Sequence, residues 1–282
     1  MNRNLQNKLF YTSVGFAVIL CSLILLFLFG IIIWNGLPAI SLDFLTNSSS
    51  NFGASGGIFY QIFGSILLII FAALICLPIA LGTAIYKSEY LKNESVHKLI
   101  NTLIYSLNGI PSVIFGIFGL IFFVNLLNMG ISWFVGSIIL SMMILPTVTL
   151  STYQSINSIP TVYRESSSAL GLNKWQVIVQ VLLPQGFSGA ITGLLIGIAR
   201  AIGETAPIMF IATAFSGVEL PSSFLEPVSA LPTHILALAQ QATNPAALQN
   251  AWGASLVLVI LVIIFSISAL FIRLRHQIVS KR

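Results

Sequence analysis

Residues 164–184 run Arg164-Glu165-Ser166-Ser167-Ser168-Ala169-Leu170-Gly171, then nine residues, then Val181-Leu182-Leu183-Pro184. Pro160 and Pro184 bracket the segment. The sequence predicts a short helix, a glycine stop and a second short amphipathic helix between them. Gly171 suits the position just past a helix C-terminus, where the chain needs a positive φ. Beyond it Trp175, Ile178, Val179 and Leu182 recur at helical spacing, so one face of the second helix is expected to be apolar. A helix–turn–helix of this kind at a membrane surface can fit into another protein's groove.

On both sides of this segment the chain becomes apolar. Of 282 residues, 57% are hydrophobic and only 7% are charged. An ordinary soluble domain carries about 25% charged residues. This chain has no charged coat for a water-soluble globule. A water-soluble enzyme, a disordered protein and a nucleic-acid-binding protein are excluded as first readings. The chain reads as an all-α integral membrane protein.

A helix crosses the hydrocarbon core in about 20 apolar residues. Six stretches qualify: 9–34, 61–86 (interrupted by Pro78), 103–126 (Pro111 near its start), 131–150 (Pro146 near its end), 189–214 and 253–272. Arg3 and Lys8 give the first stretch the basic start of a signal peptide. It is longer than a typical signal core, and no small-residue cleavage site follows, so it reads as a retained span. Six spans put both termini on one side.

The charges test that count. Arg3, Lys8, Lys87, Lys92, Lys98, Arg164, Lys174, Arg273, Arg275, Lys281 and Arg282 all fall on one side; Arg200 alone lies within a span. Connections 35–60, 127–130 and 215–252 contain no Lys or Arg. By the positive-inside rule the termini and residues 151–188 are cytoplasmic. On the outer side, residues 47–57 are rich in Ser, Asn and Gly and read as a flexible loop. Residues 215–252 form either a structured cap or an irregular linker, and Pro245 can open a short helix there.

Arg200 and Glu204 stand in Gly197-Ile198-Ala199-Arg200-Ala201-Ile202-Gly203-Glu204-Thr205-Ala206-Pro207. Their spacing predicts one helix face. A lone charge at the bilayer centre costs about 2.5–3.5 kcal/mol on insertion scales, so that face should meet protein or water. Gly189, Gly193 and Gly197 recur on roughly that side, as expected where helices pack closely. Pro207 is expected to break the helix just beyond Glu204, and broken helices at mid-depth are frequent in transporter sites. Arginine's planar fork suits tetrahedral oxyanions, so the pair points to an anion path. A purely structural ion pair is the rival explanation.

Other polar residues carry less. Cys21 and Cys76 lie in apolar runs and read as inert buried thiols. His97, His234 and His276 are far apart, and no metal site is expected. Ser112, Thr147, Thr149 and Thr152 either line a path or satisfy backbone groups beside prolines. There is no Gly-x4-Gly-Lys-Ser/Thr phosphate loop, so any ATP would bind to another subunit.

The 165–184 pattern resembles the signature of binding-protein-dependent ABC importer permeases: Glu-Ala-Ala, three residues, Gly, nine residues, Ile, one residue, Leu-Pro. Glu165, Gly171, Leu183 and Pro184 match it, with Ser166, Ser167 and Val181 as departures. Residues 108–116 (Asn-Gly-Ile-Pro-Ser-Val-Ile-Phe-Gly), Leu145-Pro146-Thr147, 199–207 and Gly56-Gly57-Ile58 are similar to the phosphate-specific branch. Leu231-Pro232-Thr233, Trp252-Gly253-Ala254 and the short loop after the first span look like that branch's A-type subunit.

The resemblance implies a type I ABC importer permease fold in a bacterial inner membrane. It divides the chain into residues 1–55 (first helix and outer loop), 56–275 (permease domain, coupling helices about 160–184) and 276–282 (cytoplasmic tail). It implies coupling helices that dock on an ATPase dimer, and transport roles for Arg200 and Glu204. The implied partners are a C-type permease, that ATPase dimer with its ATP and Mg, an extracytoplasmic phosphate-binding protein and the bilayer. The chain itself would perform no covalent chemistry and bind no cofactor. The Lys87-Ser88-Glu89-Tyr90 turn either anchors at the interface or touches the ATPase. An ion-gradient-driven secondary anion transporter, or a non-transporting assembly component, is the alternative, and neither requires the 165–184 pattern.

Overall fold

The computed structural model describes residues 3–214, 220–241 and 243–279. Ser280–Arg282 of the expected tail, and residues 215–219 and 242 of the outer segment, lie outside the described residues. Helix α1 (Arg3–Gly36) is predominantly apolar on all sides from Phe10 onward, and the rest of the chain leaves that span uncovered. Its end is seated on the last helix: a Cβ at Gly36 would lie 2.8 Å from Leu256 Cβ. Ser41 caps the short helix α2 (Leu42–Thr46) by accepting from the Phe44 N–H. Strands β1 (Ser49–Ser50) and β2 (Ser55–Gly56) then pair antiparallel.

Helix α3 (Phe59–Ile85) ends in a π-helical turn, Tyr86–Tyr90. Helices α4 (Glu94–Gly109) and α5 (Ser112–Gly119, extended by a π-helical stretch to Leu126) meet at a bend of 95°. Then come α6 (Trp133–Asn157), α7 (Thr161–Ala169) and α8 (Lys174–Val177). A π turn, Ile178–Leu182, leads into α9 (Leu183–Ile202). Helices α10 (Ala206–Ile211), α11 (Leu231–Ala239) and α12 (Pro245–Val279) complete the order.

Helix α6 is the centre of the fold. Val135, Ile139, Leu140, Met143, Ile144 and Val148 are buried against α3, α5, α9 and α10. In lipid, association rests on close packing rather than on escape from water, and small residues permit the closest approach. The α6–α9 seam is built that way: a Cβ at Gly189 would meet Ser155 Cβ at 2.2 Å, and one at Gly193 would meet Val148 Cα at 2.9 Å. Ser151 Oγ donates across the seam to the Gly189 carbonyl at 2.8 Å.

Among the described residues five helices are long and apolar enough to cross a membrane, and the bent α4–α5 pair taken as one span gives the expected six. Other expectations need correction. Pro78 does not interrupt its span, because α3 runs through it, as α6 runs through Pro146. Pro245 opens α12 itself rather than a separate short helix. The cap in 215–252 contains α11 instead. Residues 47–57 are a hairpin rather than a flexible loop; its turn places Asn51, Phe52 and Gly53 at positive φ. Cys76 is buried as expected, but Cys21 is exposed on the uncovered α1.

Candidate functional site

Two helix breaks build the first site. Pro111 fixes its own φ and disfavours helix at Ile110, so α4 ends at Gly109 and the chain turns. Pro207 has no N–H to offer the Gly203 carbonyl, and its ring clashes there, so α9 cannot continue past that point. The last turn of α9 tightens instead: Gly203 N–H donates to the Arg200 carbonyl (3.3 Å) and Glu204 N–H to that of Ala201 (3.2 Å). Pro207 then sits in the first turn of α10, where an N–H is not needed. The break covers residues 203–205, so it begins before Glu204 rather than just beyond it. Gly116 draws the two breaks together, because a Cβ there would lie 2.8 Å from Pro207 Cα.

Arg200 projects from the last turn of α9. Its Nε lies 3.6 Å from Glu204 Oε1, across the break rather than along one helix face. Arg200 Nη1 donates to Asn108 Oδ1 at 3.3 Å, and the same oxygen accepts from Thr147 Oγ1 at 3.4 Å. The Arg200 side chain is 37% exposed and that of Glu204 16%. Gly189, Gly193 and Gly197 form the buried side of α9, with Arg200 at its open margin rather than on it. The result is an arginine held on two sides by a carboxylate and a carboxamide and open on a third. Such a guanidinium can take a planar or tetrahedral oxyanion through paired N–H donors.

Residues 160–184, a surface knob, are the second site. Helix α7 carries Glu165 and Ser166 exposed. Ser167 is buried, and its Oγ donates back to the Tyr163 carbonyl at 2.6 Å. Both serines replacing alanine are therefore accommodated, one by solvent and one by the helix backbone. Gly171 has φ +78° with open space around it, as its C-terminal position required. Asn173 and Gln176 then form a reciprocal cap on α8. Val181 and Leu183 pack on Ile159, Val177, Ile178 and Leu182 beneath the knob, while Pro184 is exposed in the first turn of α9.

The second short helix is not a separate element. It continues through the π turn into α9, and its apolar positions do not share one face. Ile178 and Leu182 are buried, but Trp175 and Val179 are exposed. Val162, Tyr163 and Leu170 are exposed on the same knob.

Three residues have partners that the sequence did not show. Asn108, noted only for its resemblance, grips Arg200; its signal was a carboxamide immediately before a Gly-Ile-Pro break. Glu89 binds Arg164 through Oε1, at 2.9 Å to Nη2 and 3.1 Å to Nε. Arg164 also donates to the carbonyls of Ile156 and Ile159 at the end of α6. Lys87 is buried, donates to Asn101 Oδ1 and lies 3.6 Å from the centre of the Tyr153 ring. Only the charges in an otherwise apolar chain marked Lys87 and Glu89. The rest of their role is long-range contact.

Residues 76–282 match the family model described as "Binding-protein-dependent transport system inner membrane component". A probable ABC transporter permease protein, YqgI, of Bacillus subtilis is 34% identical over 281 residues, 95% of each chain. A probable phosphate transport system permease protein, PstA, of Methanocaldococcus jannaschii is 32% identical over 278 residues, 97% of this chain and 94% of the relative. A crystal structure of a bacterial alginate ABC transporter superposes with TM-score 0.69 at 18% identity, over 95% of this chain and 94% of that one. The fold is that of the type I ABC importer permeases. The chain belongs to the family of binding-protein-dependent transport system inner membrane components and is a multi-pass permease subunit of an ABC importer.

Proposed function

We propose that this chain is half of the translocation path of an ATP-driven importer of inorganic phosphate, in the role of the A-type subunit. The observation that carries this reading is Arg200, poised at a helix break between Glu204 and Asn108 and open to one side. A homologous C-type permease would face it and complete the path. Glu204 would neutralise Arg200 when no anion is present and accept a hydrogen bond from a protonated phosphate. The relatives named for phosphate transport support this choice of anion.

The basic connections and both termini would face the cytoplasm. An ATPase dimer, holding ATP and Mg, would dock on the 160–184 knob. An extracytoplasmic phosphate-binding protein would deliver its anion at the hairpin end. ATP binding would draw the knobs together and open the path outward, and hydrolysis would reset it. Family membership speaks against the gradient-driven alternative.

The test is labelled-phosphate uptake by the whole complex in proteoliposomes, with ATP inside and binding protein outside. Arg200→Gln is expected to abolish uptake while the complex still assembles. Undiminished uptake would reduce the pair to a structural role. Uptake of another oxyanion in place of phosphate would overturn the substrate.

A further inference from the structure

The Tyr86–Tyr90 turn reaches in two directions at once. Toward the knob, Glu89 holds Arg164 through its carboxylate, and its carbonyl accepts from Lys174 Nζ. Lys174 Nζ also lies 4.0 Å from the centre of the Tyr90 ring. Toward the bundle, Lys87 enters a cradle made by α4 and α6. Its ammonium donates to Asn101 Oδ1 and sits on the Tyr153 ring. His97 Nε2 lies 3.1 Å from the Tyr153 hydroxyl, and its Nδ1 lies 3.3 Å from Asn101 Nδ2, closing the cradle.

Lys87 is 2% exposed and has no carboxylate within ion-pair distance among the described residues. A buried charge held only by a carbonyl dipole and a ring face is costly to strand, so the cradle must move with it. Helix α4 carries the cradle's Asn101 near its middle and Asn108, which grips Arg200, in its last turn. The two are about two helical turns apart, roughly 10 Å along the axis. Beyond Asn108 the chain is bent by 95°, so α4 can tilt without dragging α5 as a continuous rod. An ATPase-docking knob, an ion pair, a buried lysine, a helix and the Arg200 grip thus form one contiguous series.

We propose that Lys87 and Glu89 are positioning residues, and that their turn relays movement of the 160–184 knob through α4 to the Asn108–Arg200 contact. When the knob moves, Glu89 moves with Arg164, and Lys87 carries α4. Asn108 then changes its hold on Arg200, so the arginine's third side opens or closes in step with the ATPase. This rests on the proposed coupling and transport roles, and deepens them by naming the connection.

The test uses the assembled complex in proteoliposomes, reading phosphate uptake and ATP hydrolysis together. Glu89→Gln and Lys87→Met are each expected to assemble and to keep basal hydrolysis. Each is expected to lose about tenfold in phosphate carried per ATP hydrolysed. A merely structural role would lower uptake and hydrolysis together and leave their ratio unchanged. The second reading is the Lys87→Met/Asn108→Ala double variant. If both act through α4, its loss matches that of the larger single variant; independent contributions multiply. Normal phosphate-to-ATP ratios in both single variants, or multiplying losses in the double, overturn the relay. So does failure of both single variants to assemble, which would make the turn a folding element. A wild-type complex that carries no phosphate contradicts the substrate reading instead, and the relay is then read with the anion that is carried.

Discussion

Helix α9 has two unlike regions. Its first four turns lie against α6 with glycine at the contact, and at Gly189 and Gly193 an added Cβ would press on the α6 backbone within 3 Å. Its last turn ends at a break and holds Arg200 toward open space, gripped by one carboxamide and one carboxylate. The seam is nearly all van der Waals contact; the tip is nearly all polar. A rigid seam fixes where the arginine starts, and a few adjustable polar contacts decide what it does. Precise placement of a functional group on a firmly packed element is what a selective site needs.

The largest effect is expected where the seam itself is broken. Gly193→Leu places a side chain where Ser151 Cβ would be 2.7 Å away and Val148 Cα 2.9 Å away. Overpacking of this kind costs about 1–3 kcal/mol, and more where backbone must move. The variant should lose most folded complex on detergent size-exclusion, whatever the substrate. Normal folding would show that the seam is loose and the contrast false.

Gly171→Ile comes next, and it sharpens the contrast by acting far from both regions of α9. A β-branched residue at φ +78° costs about 1–2 kcal/mol in the left-handed region. The knob should distort and uncouple the ATPase, while insertion in the membrane is unaffected. Uptake that follows ATP hydrolysis as in the unaltered chain would argue against a docking role.

Asn108→Ala tests the polar tip. Asn108 is exposed and its bond to Arg200 is 3.3 Å long, so removing it should free one side of the guanidinium at little cost in folding. Phosphate uptake should fall about tenfold or more while thermal stability changes by less than about 0.5 kcal/mol. A stability loss as large as that of Gly193→Leu would make Asn108 part of the seam.

The smallest effect concerns the hairpin end. Burial pushes His234 in α11 down from 6.5 to about 4. It packs beside Gly53 and lies 3.4 Å from Gln61 Nε2. The unfolded segment takes up its proton first, so this cap should lose stability as pH falls from about 6.5 toward 4, and level off below. Hydrogen exchange in residues 231–239 should accelerate over that window, and His234→Gln should flatten the response. Exchange independent of pH, after correction for intrinsic rates, would contradict it.

Hydropathy and charge placement made the spans legible, because apolar length is a local property. The prolines were only half legible. Pro78 and Pro146 sit inside continuous helices, between Leu77 and Ile79 and between Leu145 and Thr147. Pro111 and Pro207 mark breaks, and each has a glycine shortly before it, Gly109 or Gly203. The two uninterrupted helices carry no glycine just before their proline, whereas a nearby glycine lowers the cost of leaving the helix. At the site, Arg200 and Glu204 were visible as charges in an apolar run. Asn108 was visible only by resemblance and Lys87 and Glu89 only as part of an interfacial turn, because their partners are distant in sequence. The hairpin at 47–57 was misread for a similar reason: its polar turn is fixed by α11, with Asn250 Nδ2 donating to the Gly53 carbonyl from α12.

The knob between α7 and α8 is where we propose that a nucleotide-hydrolysing subunit grips this permease. Leu170 is 81% exposed there, next to Gly171. A Leu170→Cys variant carrying a short photo-reactive probe, in membranes that hold the whole complex, should give one main adduct containing the ATPase, stronger with ATP bound than without nucleotide. Adducts to lipid alone, with none to a nucleotide-hydrolysing chain, would contradict the account.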